Sequence, residues 1–122
     1  MHALIIEDEP MIARLIEEEL RELGFTSFNI ADTEHEAARM AERTCPNLIT
    51  ADEKLATGSG FKAVQEICAE QAIPVIFITG DPSSVRLPDV VILAKPFDGE
   101  ALRNAAATAA TSARAFGPST SG

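Results

Sequence analysis

Short apolar runs of strand length alternate along this chain with segments of helical periodicity, and this alternation limits the possible folds more than any other feature. The runs occupy residues 3–6, 27–30, 47–51, 74–79 and 90–94. A short, continuous apolar run is typical of a strand that is covered on both faces. Strands that alternate with helices in this way predict an α/β fold, with a doubly wound five-stranded parallel sheet and helices on both faces.

The segments between the runs carry signals for helix starts. Pro10 stands at a first helical position, with Glu9 before it as the expected cap. Thr33 and Glu36 have the spacing of a capping box. Helices are expected from Pro10 to Leu23, from Thr33 to Arg43, from Phe61 to Gln71 and from Asp98 to Ala113.

Polar side chains stand where the predicted strands end. In open α/β sheets the binding crevice lies beyond the carboxyl ends of the strands, so these residues are the candidates for chemistry. They are Glu7, Asp8 and Glu9 after the first strand, Asp52 and Glu53 after the third, Thr79, Gly80 and Asp81 at the fourth, and Lys95 at the fifth. The strand ends thus collect several carboxylates, one hydroxyl and one ammonium.

The three consecutive carboxylates at residues 7–9 repel one another unless a cation binds between them. Carboxylates and a backbone carbonyl form the oxygen-rich site that Mg²⁺ prefers. An ammonium and a hydroxyl beside a metal are suited to holding a phosphoryl group, and a carboxylate there can attack phosphorus. We interpret the cluster as a cation site that brings in a phosphoryl donor. The alternative is an acidic helix N-terminus that the helix dipole favours.

Four motifs occur in a fixed order, IIEDEP, LITADEKLATGSG, VIFITGDP and AKPF. Together they resemble the receiver domain of two-component response regulators, and the resemblance covers residues 3–113. It implies a flavodoxin-like (βα)5 receiver fold. It also implies that the partners include a sensor histidine kinase, a histidine phosphotransfer protein, or both.

The resemblance also implies a role for each strand-end residue. Asp52 falls on the phosphoacceptor position. Mg²⁺ is the implied cofactor, and Asp8, Asp52 and the backbone carbonyl of Lys54 fall on its ligand positions. Glu7 is implied to contact the ion through a water molecule.

Two further side chains are implied to bind the transferred phosphoryl group, the hydroxyl of Thr79 and the ammonium of Lys95. Lys54 and Gly80 fall on positions that tune the loss of the phosphoryl group to water. The Lys95–Pro96 bond resembles one that is cis in the family, whereas the sequence alone favours trans.

Two features depart from the usual receiver pattern. Residues 80–89, GDPSSVRLPD, replace a full helix and its loops, so the fourth helix is expected to be shortened to a turn or missing. Ile92 occupies the position of the aromatic switch residue, and it offers no hydroxyl. Both features resemble the receiver half of alphaproteobacterial PhyR-type general-stress regulators and related single-domain regulators.

Charge and composition exclude several classes of partner. The formal net charge of −9 and the lack of a basic stripe argue against nucleic acid and anionic membranes. Cys45 and Cys68 lack metal-ligand spacing, and the N-terminus shows no signal peptide, so a cytoplasmic protein is expected. One receiver domain is expected over 1–116, with a disordered tail at 117–122.

These observations predict a single-domain response regulator that signals by protein–protein contact or drains phosphoryl groups from a kinase. It is expected to lose its phosphoryl group slowly and to act as a signalling protein, not as an enzyme. A phosphatase of the dehalogenase type would need a second Asp where Lys54 stands, and a flavodoxin-like cofactor binder would need a phosphate-binding loop in place of EDEP. A pseudo-receiver that binds partners without being phosphorylated remains the alternative.

The run of three glutamates at residues 17–19 lies within the first predicted helix. It is interpreted as a solvated helix face. Recognition of this run by a kinase or another partner is the alternative.

Overall fold

A computed structural model describes residues 1–85 and 90–111 of the chain. Its elements are β1 (His2–Ile6), α1 (Pro10–Glu22), β2 (Ser27–Ala31), α2 (Glu34–Arg43), β3 (Leu48–Asp52), α3 (Gly60–Ile67), β4 (Val75–Thr79), β5 (Val91–Ala94) and α4 (Gly99–Thr111). The strands form one parallel sheet in the order β2-β1-β3-β4-β5. The predicted doubly wound α/β fold is therefore confirmed, and each strand lies within one residue of its predicted bounds.

Helices cover both faces of the sheet, which explains why the strands are apolar throughout. One face packs against α1 and α4 through Ile5, Ile16, Leu20, Ile78 and Leu102. The other face packs against α2 and α3 through Leu4, Ile6, Ile49, Val64 and Phe77. All residues of β3 and β4 are buried, so these two strands lie at the centre of the core. Their carboxyl ends, which carry Asp52 and Thr79, are held rigidly by this packing.

The connection from β4 to β5 contains a single 3₁₀ turn, Pro82–Ser84, within its described residues. This agrees with the predicted reduction of the fourth helix. Residues 86–89 lie outside the described part of the chain, as does everything after Thr111. The tail predicted at 117–122, the predicted helix end at Ala113 and the domain end at 116 therefore stay predictions.

Helix α1 begins at Pro10 with Glu9 at its N-cap, both as predicted, but the cap uses the backbone of Glu9 and not its side chain. The Glu9 side chain makes no capping hydrogen bond. Its backbone carbonyl accepts from the N–H groups of Ile12 and Ala13, and its own N–H donates to Glu7 Oε2 at 3.1 Å. The backbone of Glu9 therefore orients the Glu7 carboxylate.

Helix α3 ends at Ile67, earlier than the predicted end at Gln71. Cys68 already leaves the helical conformation, and the Ala69 N–H turns back to the Glu66 carbonyl in a tighter turn. Among the described residues, no helix combines the length and the apolar character that crossing a membrane requires.

Candidate metal centre

Three carboxylates meet at the carboxyl edge of the sheet because β1 and β3 are neighbouring parallel strands. Ile6 pairs with Ala51, so Glu7, which follows β1, stands beside Asp52, the last residue of β3. Glu7, Asp8 and Asp52 each offer an oxygen within 4.8 Å of the others, a cluster that could hold a metal ion. The tertiary structure thus brings together three residues that are far apart in the sequence.

Lys95 brings positive charge to the same place. Its Nζ lies 3.3 Å from Glu7 Oε1 and 3.2 Å from Asp52 Oδ2. Its N–H donates to the carbonyl of Thr79 at 2.8 Å, which fixes the end of β5 beside β4. The Lys95–Pro96 peptide bond is cis, as the resemblance implied.

Glu7 is a buried acid with an incompletely satisfied carboxylate. Its side chain is fully inaccessible, and Oε1 has no hydrogen bond of good geometry although Lys95 Nζ lies at ion-pair distance. Burial, together with the nearby Asp52 carboxylate, raises the pKa of Glu7 to about 7. A buried oxygen with unused lone pairs suits a metal ion or a metal-bound water, so the residues present fit Mg²⁺.

The charge balance also acts on the ammonium of Lys95. Burial on its own would lower the pKa of Lys95, but the carboxylates of Glu7 and Asp52 outweigh it and raise the pKa. Lys95 therefore stays protonated, and one positive charge stands against three carboxylates.

Asp8 reaches from the end of β1 to the loop of residues 53–59, which connects β3 to α3. Its Oδ2 accepts a hydrogen bond from the Ala56 N–H at 2.7 Å. In this loop Lys54 and Ser59 form an antiparallel bridge. The bridge is closed by bonds from Gly60 N–H to Glu53 and from Leu55 N–H to Gly58, so it does not use the Lys54 carbonyl.

Thr79 lies on the opposite side of Asp52, at the end of β4. It is buried, and its hydroxyl oxygen accepts a hydrogen bond from the Asp81 N–H at 3.0 Å. The cleft at the carboxyl edge is lined by Asp8, Asp52, Lys54, Thr79, Gly80 and Lys95. Apart from the buried Glu7, the candidate residues therefore border one cleft.

Ile92 lies on β5, three residues before Lys95. It is half-buried and pairs with Phe77 in the sheet register. Its aliphatic side chain can fill space there but cannot make the hydrogen bond of a tyrosine.

Sequence reasoning did not identify three contributors to the site. The Ala56 N–H binds Asp8, and a backbone donor leaves no trace in residue type. Gly60 packs so closely that an added Cβ would overlap the Asp52 carbonyl oxygen. Glu34 on α2 accepts a hydrogen bond from the Ser59 N–H at 3.1 Å, across 25 positions of sequence. The glycines of GSG, at 58 and 60, are the sequence signal that could have indicated such a close approach.

The glutamate run at residues 17–19 stands apart from the cleft, and each member has an arginine partner. Glu17 binds Arg21 at 2.9 Å and Glu18 lies 3.7 Å from Arg14, both along α1. Glu19 binds Arg103 and thereby joins α1 to α4. The run therefore includes one tertiary contact besides the predicted solvated face.

Comparison with known proteins agrees with this arrangement. The family model of the response regulator receiver domain matches residues 3–107. The phyllosphere-induced regulator PhyR of Methylorubrum extorquens AM1 is 42% identical over 100 residues, which cover 77% of this chain and 38% of that protein.

The solved structures with a similar fold include two PhyR proteins that are more than 30% identical to this chain in sequence. The response regulator PhyR from Brucella abortus superposes with a TM-score of 0.83 at 37% identity, over 88% of this chain and 46% of that one. The REC domain of PhyR from Erythrobacter litoralis gives a TM-score of 0.82 at 34% identity, over 88% of both chains. This chain thus spans less than half of the longer PhyR proteins.

Proposed function

Because the chain belongs to the response regulator receiver domain family, we propose that it accepts a phosphoryl group on Asp52 in a Mg²⁺-dependent reaction. The donor is a phosphohistidine on a sensor histidine kinase or a histidine phosphotransfer protein. The observation that carries this proposal is the cluster of Glu7, Asp8 and Asp52 with Lys95 Nζ only 3.2 Å from Asp52. It combines a nucleophile, a cation site and an ammonium at one strand edge.

The residues that would hold Mg²⁺ are Asp8, Asp52, the Lys54 carbonyl and, through water, Glu7. When bound, the ion supplies positive charge that lowers the repulsion between the acceptor and the incoming phosphoryl oxygens. The carboxylates of Asp8 and Asp52 are already within reach of a common point, so binding requires little reorganisation of these side chains.

In the transfer step an oxygen of Asp52 attacks phosphorus and forms an O–P bond. The N–P bond of the phosphohistidine breaks, and its electron pair stays on the histidine nitrogen of the donor. The Lys95 ammonium pairs with Asp52 in the unphosphorylated protein, and after transfer it pairs with a phosphoryl oxygen. The Thr79 hydroxyl accepts a bond from Asp81, and its own proton remains available for another phosphoryl oxygen.

Receiver domains are signalling proteins, and hydrolysis of the acyl phosphate ends the signal. We place slow self-dephosphorylation at the same site, tuned by Lys54 and Gly80, which line the cleft. Output proceeds through contact with a downstream protein, or the chain drains phosphoryl groups from a shared kinase. The short β4–β5 connection limits the surface that this segment offers to a partner.

A pseudo-receiver that is not phosphorylated is the second candidate. The observation that favours it is that Lys95 already pairs with both Glu7 and Asp52, so the cluster is partly neutralised without metal or phosphate. Such a site can be purely structural.

Intact mass spectrometry after incubation with Mg²⁺ and acetyl phosphate separates the two candidates. The wild type should gain one phosphoryl mass, and Asp52→Asn and Asp52→Ala should gain none. Glu53→Gln removes the adjacent carboxylate and is the matched control, which should be phosphorylated normally. If the wild type gains no mass with acetyl phosphate or with a panel of phosphorylated kinases, the pseudo-receiver function is favoured.

A further inference from the structure

The loop at residues 53–59 is held from outside by two carboxylates on different elements. Asp8 at the end of β1 accepts from the Ala56 N–H at 2.7 Å. Glu34, in the first turn of α2, accepts from the Ser59 N–H at 3.1 Å. Asp8 belongs to the candidate metal site, whereas Glu34 lies outside it.

The loop backbone at Gly58 and Ser59 leaves a close-fitting space for the Glu34 carboxylate, which we call the Glu34 contact site. Gly58 adopts a positive φ of 83°, a conformation that residues with a side chain rarely take. A Cβ built on Gly58 would overlap the Glu34 carboxylate. The glycine therefore lets the Glu34 side chain lie against the loop backbone and reach Ser59.

The hydrogen-bond pattern links the Glu34 contact site to the candidate metal site of Glu7, Asp8 and Asp52. The closing bonds of the bridge flank the Lys54–Ser59 pair, which makes it a non-hydrogen-bonded pair. The Ser59 N–H therefore points out of the bridge toward Glu34. Its cross-strand partner is Lys54, whose carbonyl is a proposed metal ligand. Two residues beyond Lys54, the Ala56 N–H orients the ligand Asp8.

We propose that Glu34 is a positioning residue for the metal site, which acts by anchoring the 53–59 loop through the Ser59 N–H. The proposal rests on the metal-binding role assigned to Asp8, Asp52 and the Lys54 carbonyl. Without the anchor, the loop samples positions in which the Lys54 carbonyl and the Ala56 N–H are displaced. Ordering the loop then opposes metal binding, and the affinity for Mg²⁺ falls.

Two other effects of Glu34 must be separated from this one. Its negative charge near the N-terminus of α2 stabilises the helix, and any nearby negative charge attracts a cation. Glu36 carries the same charge in the same turn, but its contact is with the Asp32 N–H and not with the loop. Glu36→Ala is therefore the control for helix stability, and Glu34→Gln is the control for charge, because its amide oxygen still accepts from Ser59.

The test is the Mg²⁺ dissociation constant, measured by titration calorimetry for the wild type, Glu34→Ala, Glu34→Gln and Glu36→Ala. Removing an outer contact of a metal site typically weakens binding by about tenfold or more, and Glu34→Ala should weaken it about fivefold to tenfold. Glu34→Gln and Glu36→Ala should stay within about twofold of the wild type. Urea unfolding without Mg²⁺ shows which variants are folded.

A second variant changes the Glu34 contact site without changing the charge. Gly58→Ala places a methyl group where the Glu34 carboxylate lies, and it should weaken Mg²⁺ binding in the same direction. Amide shifts of Ala56 and Ser59 in ¹⁵N-labelled protein should change together in Gly58→Ala and Glu34→Ala before metal is added. This readout holds even if one of the two variants is poorly stable.

Each outcome has a distinct meaning. If the wild type binds Mg²⁺ and Glu34→Ala binds it equally well, the positioning role is overturned while the metal site stands. Equal losses in Glu34→Ala and Glu34→Gln also overturn it, because charge and not the hydrogen bond would be responsible. If the wild type binds no Mg²⁺, the proposed metal site fails and the role of Glu34 fails with it.

Discussion

Lys95 Nζ lies 3.3 Å from the buried carboxylate of Glu7, and this contact joins the last strand of the sheet to the first. The same nitrogen also contacts Asp52 on β3. One ammonium thus contacts two carboxyl groups, and above pH 7, where Glu7 is ionised, Asp8 adds a third negative charge nearby. The surplus of negative charge attracts a cation and also stores repulsion in the metal-free protein.

Replacing Lys95 with Met should destabilise the metal-free protein. The aliphatic length is kept, but Glu7 and Asp52 lose their counter-charge in a poorly solvated place. Because Lys95 is partly exposed, we expect a loss of about 2 kcal/mol in unfolding free energy, below the range for fully buried pairs. Urea unfolding at pH 8 in the presence of chelator measures it. Lys62→Met, on the exposed side of α3, is the control, and equal stability of both variants would contradict the prediction.

The raised pKa of Glu7 makes stability depend on pH. Its ordinary pKa is 4.5, and in the folded protein it is about 7. Below pH 4.5 the Glu7 carboxyl is protonated in both the folded and the unfolded state, so it does not lower the unfolding free energy. Between pH 4.5 and 7 the unfolded chain loses the proton first, so the unfolding free energy falls, and above pH 7 the full penalty remains.

The variant Glu7→Gln should remove this dependence. The difference between these two pKa values corresponds to a penalty on the order of 3 kcal/mol, so in chelator the variant should gain stability over the wild type as pH rises from 4.5 to 7. Urea unfolding of both proteins across that range measures the pH-dependent difference that Glu7 and its interactions with Asp52 and Lys95 produce. A constant difference between the two proteins would show that Glu7 does not titrate as described.

Thr50 is a buried residue whose hydroxyl oxygen has no hydrogen-bond partner among the described residues. Thr50→Val keeps the shape and removes an unsatisfied polar atom, so it should stabilise the protein by about 1 kcal/mol. Thr79→Val is the matched comparison, because it removes an acceptor that the Asp81 N–H uses, and it should destabilise by about 1 kcal/mol. Thermal unfolding by circular dichroism should move the two midpoints in opposite directions. Destabilisation by Thr50→Val would reveal a partner for its hydroxyl.

Gly60 has no room for a side chain, since an added Cβ would overlap the carbonyl oxygen of Asp52. Gly60→Ala must displace β3 or the start of α3, at a cost of about 2 kcal/mol. Gly80 also borders the cleft, but a Cβ there meets nothing within 4 Å, so Gly80→Ala should stay within about 0.5 kcal/mol of the wild type. Denaturant unfolding measures both variants. Equal effects would mean that the close approach at Gly60 is easily relieved.

Much of the fold could be predicted because its signals are local. Each strand is a continuous apolar run, and each lies within one residue of its predicted bounds. The proline at residue 10 and the Thr33 cap are visible in the sequence and start their helices as expected. The predicted end of α3 was wrong, and Glu9 caps α1 through its backbone alone, because helix ends depend on neighbours in space, such as the Glu7 carboxylate that accepts from the Glu9 N–H.

The sequence by itself determined the order of strands and helices along the chain. It thereby also determined that one edge of the sheet, at the carboxyl ends of the strands, carries Glu7, Asp8, Asp52, Thr79 and Lys95. Periodicity and strand ends are encoded in neighbouring residues, so one chain suffices to recognise them. Only the tertiary structure decided which charges touch: that Lys95 pairs with Glu7 as well as Asp52, and that Glu34 reaches Ser59. These contacts join residues 25 or more positions apart, and packing between elements, not residue type, sets their distances.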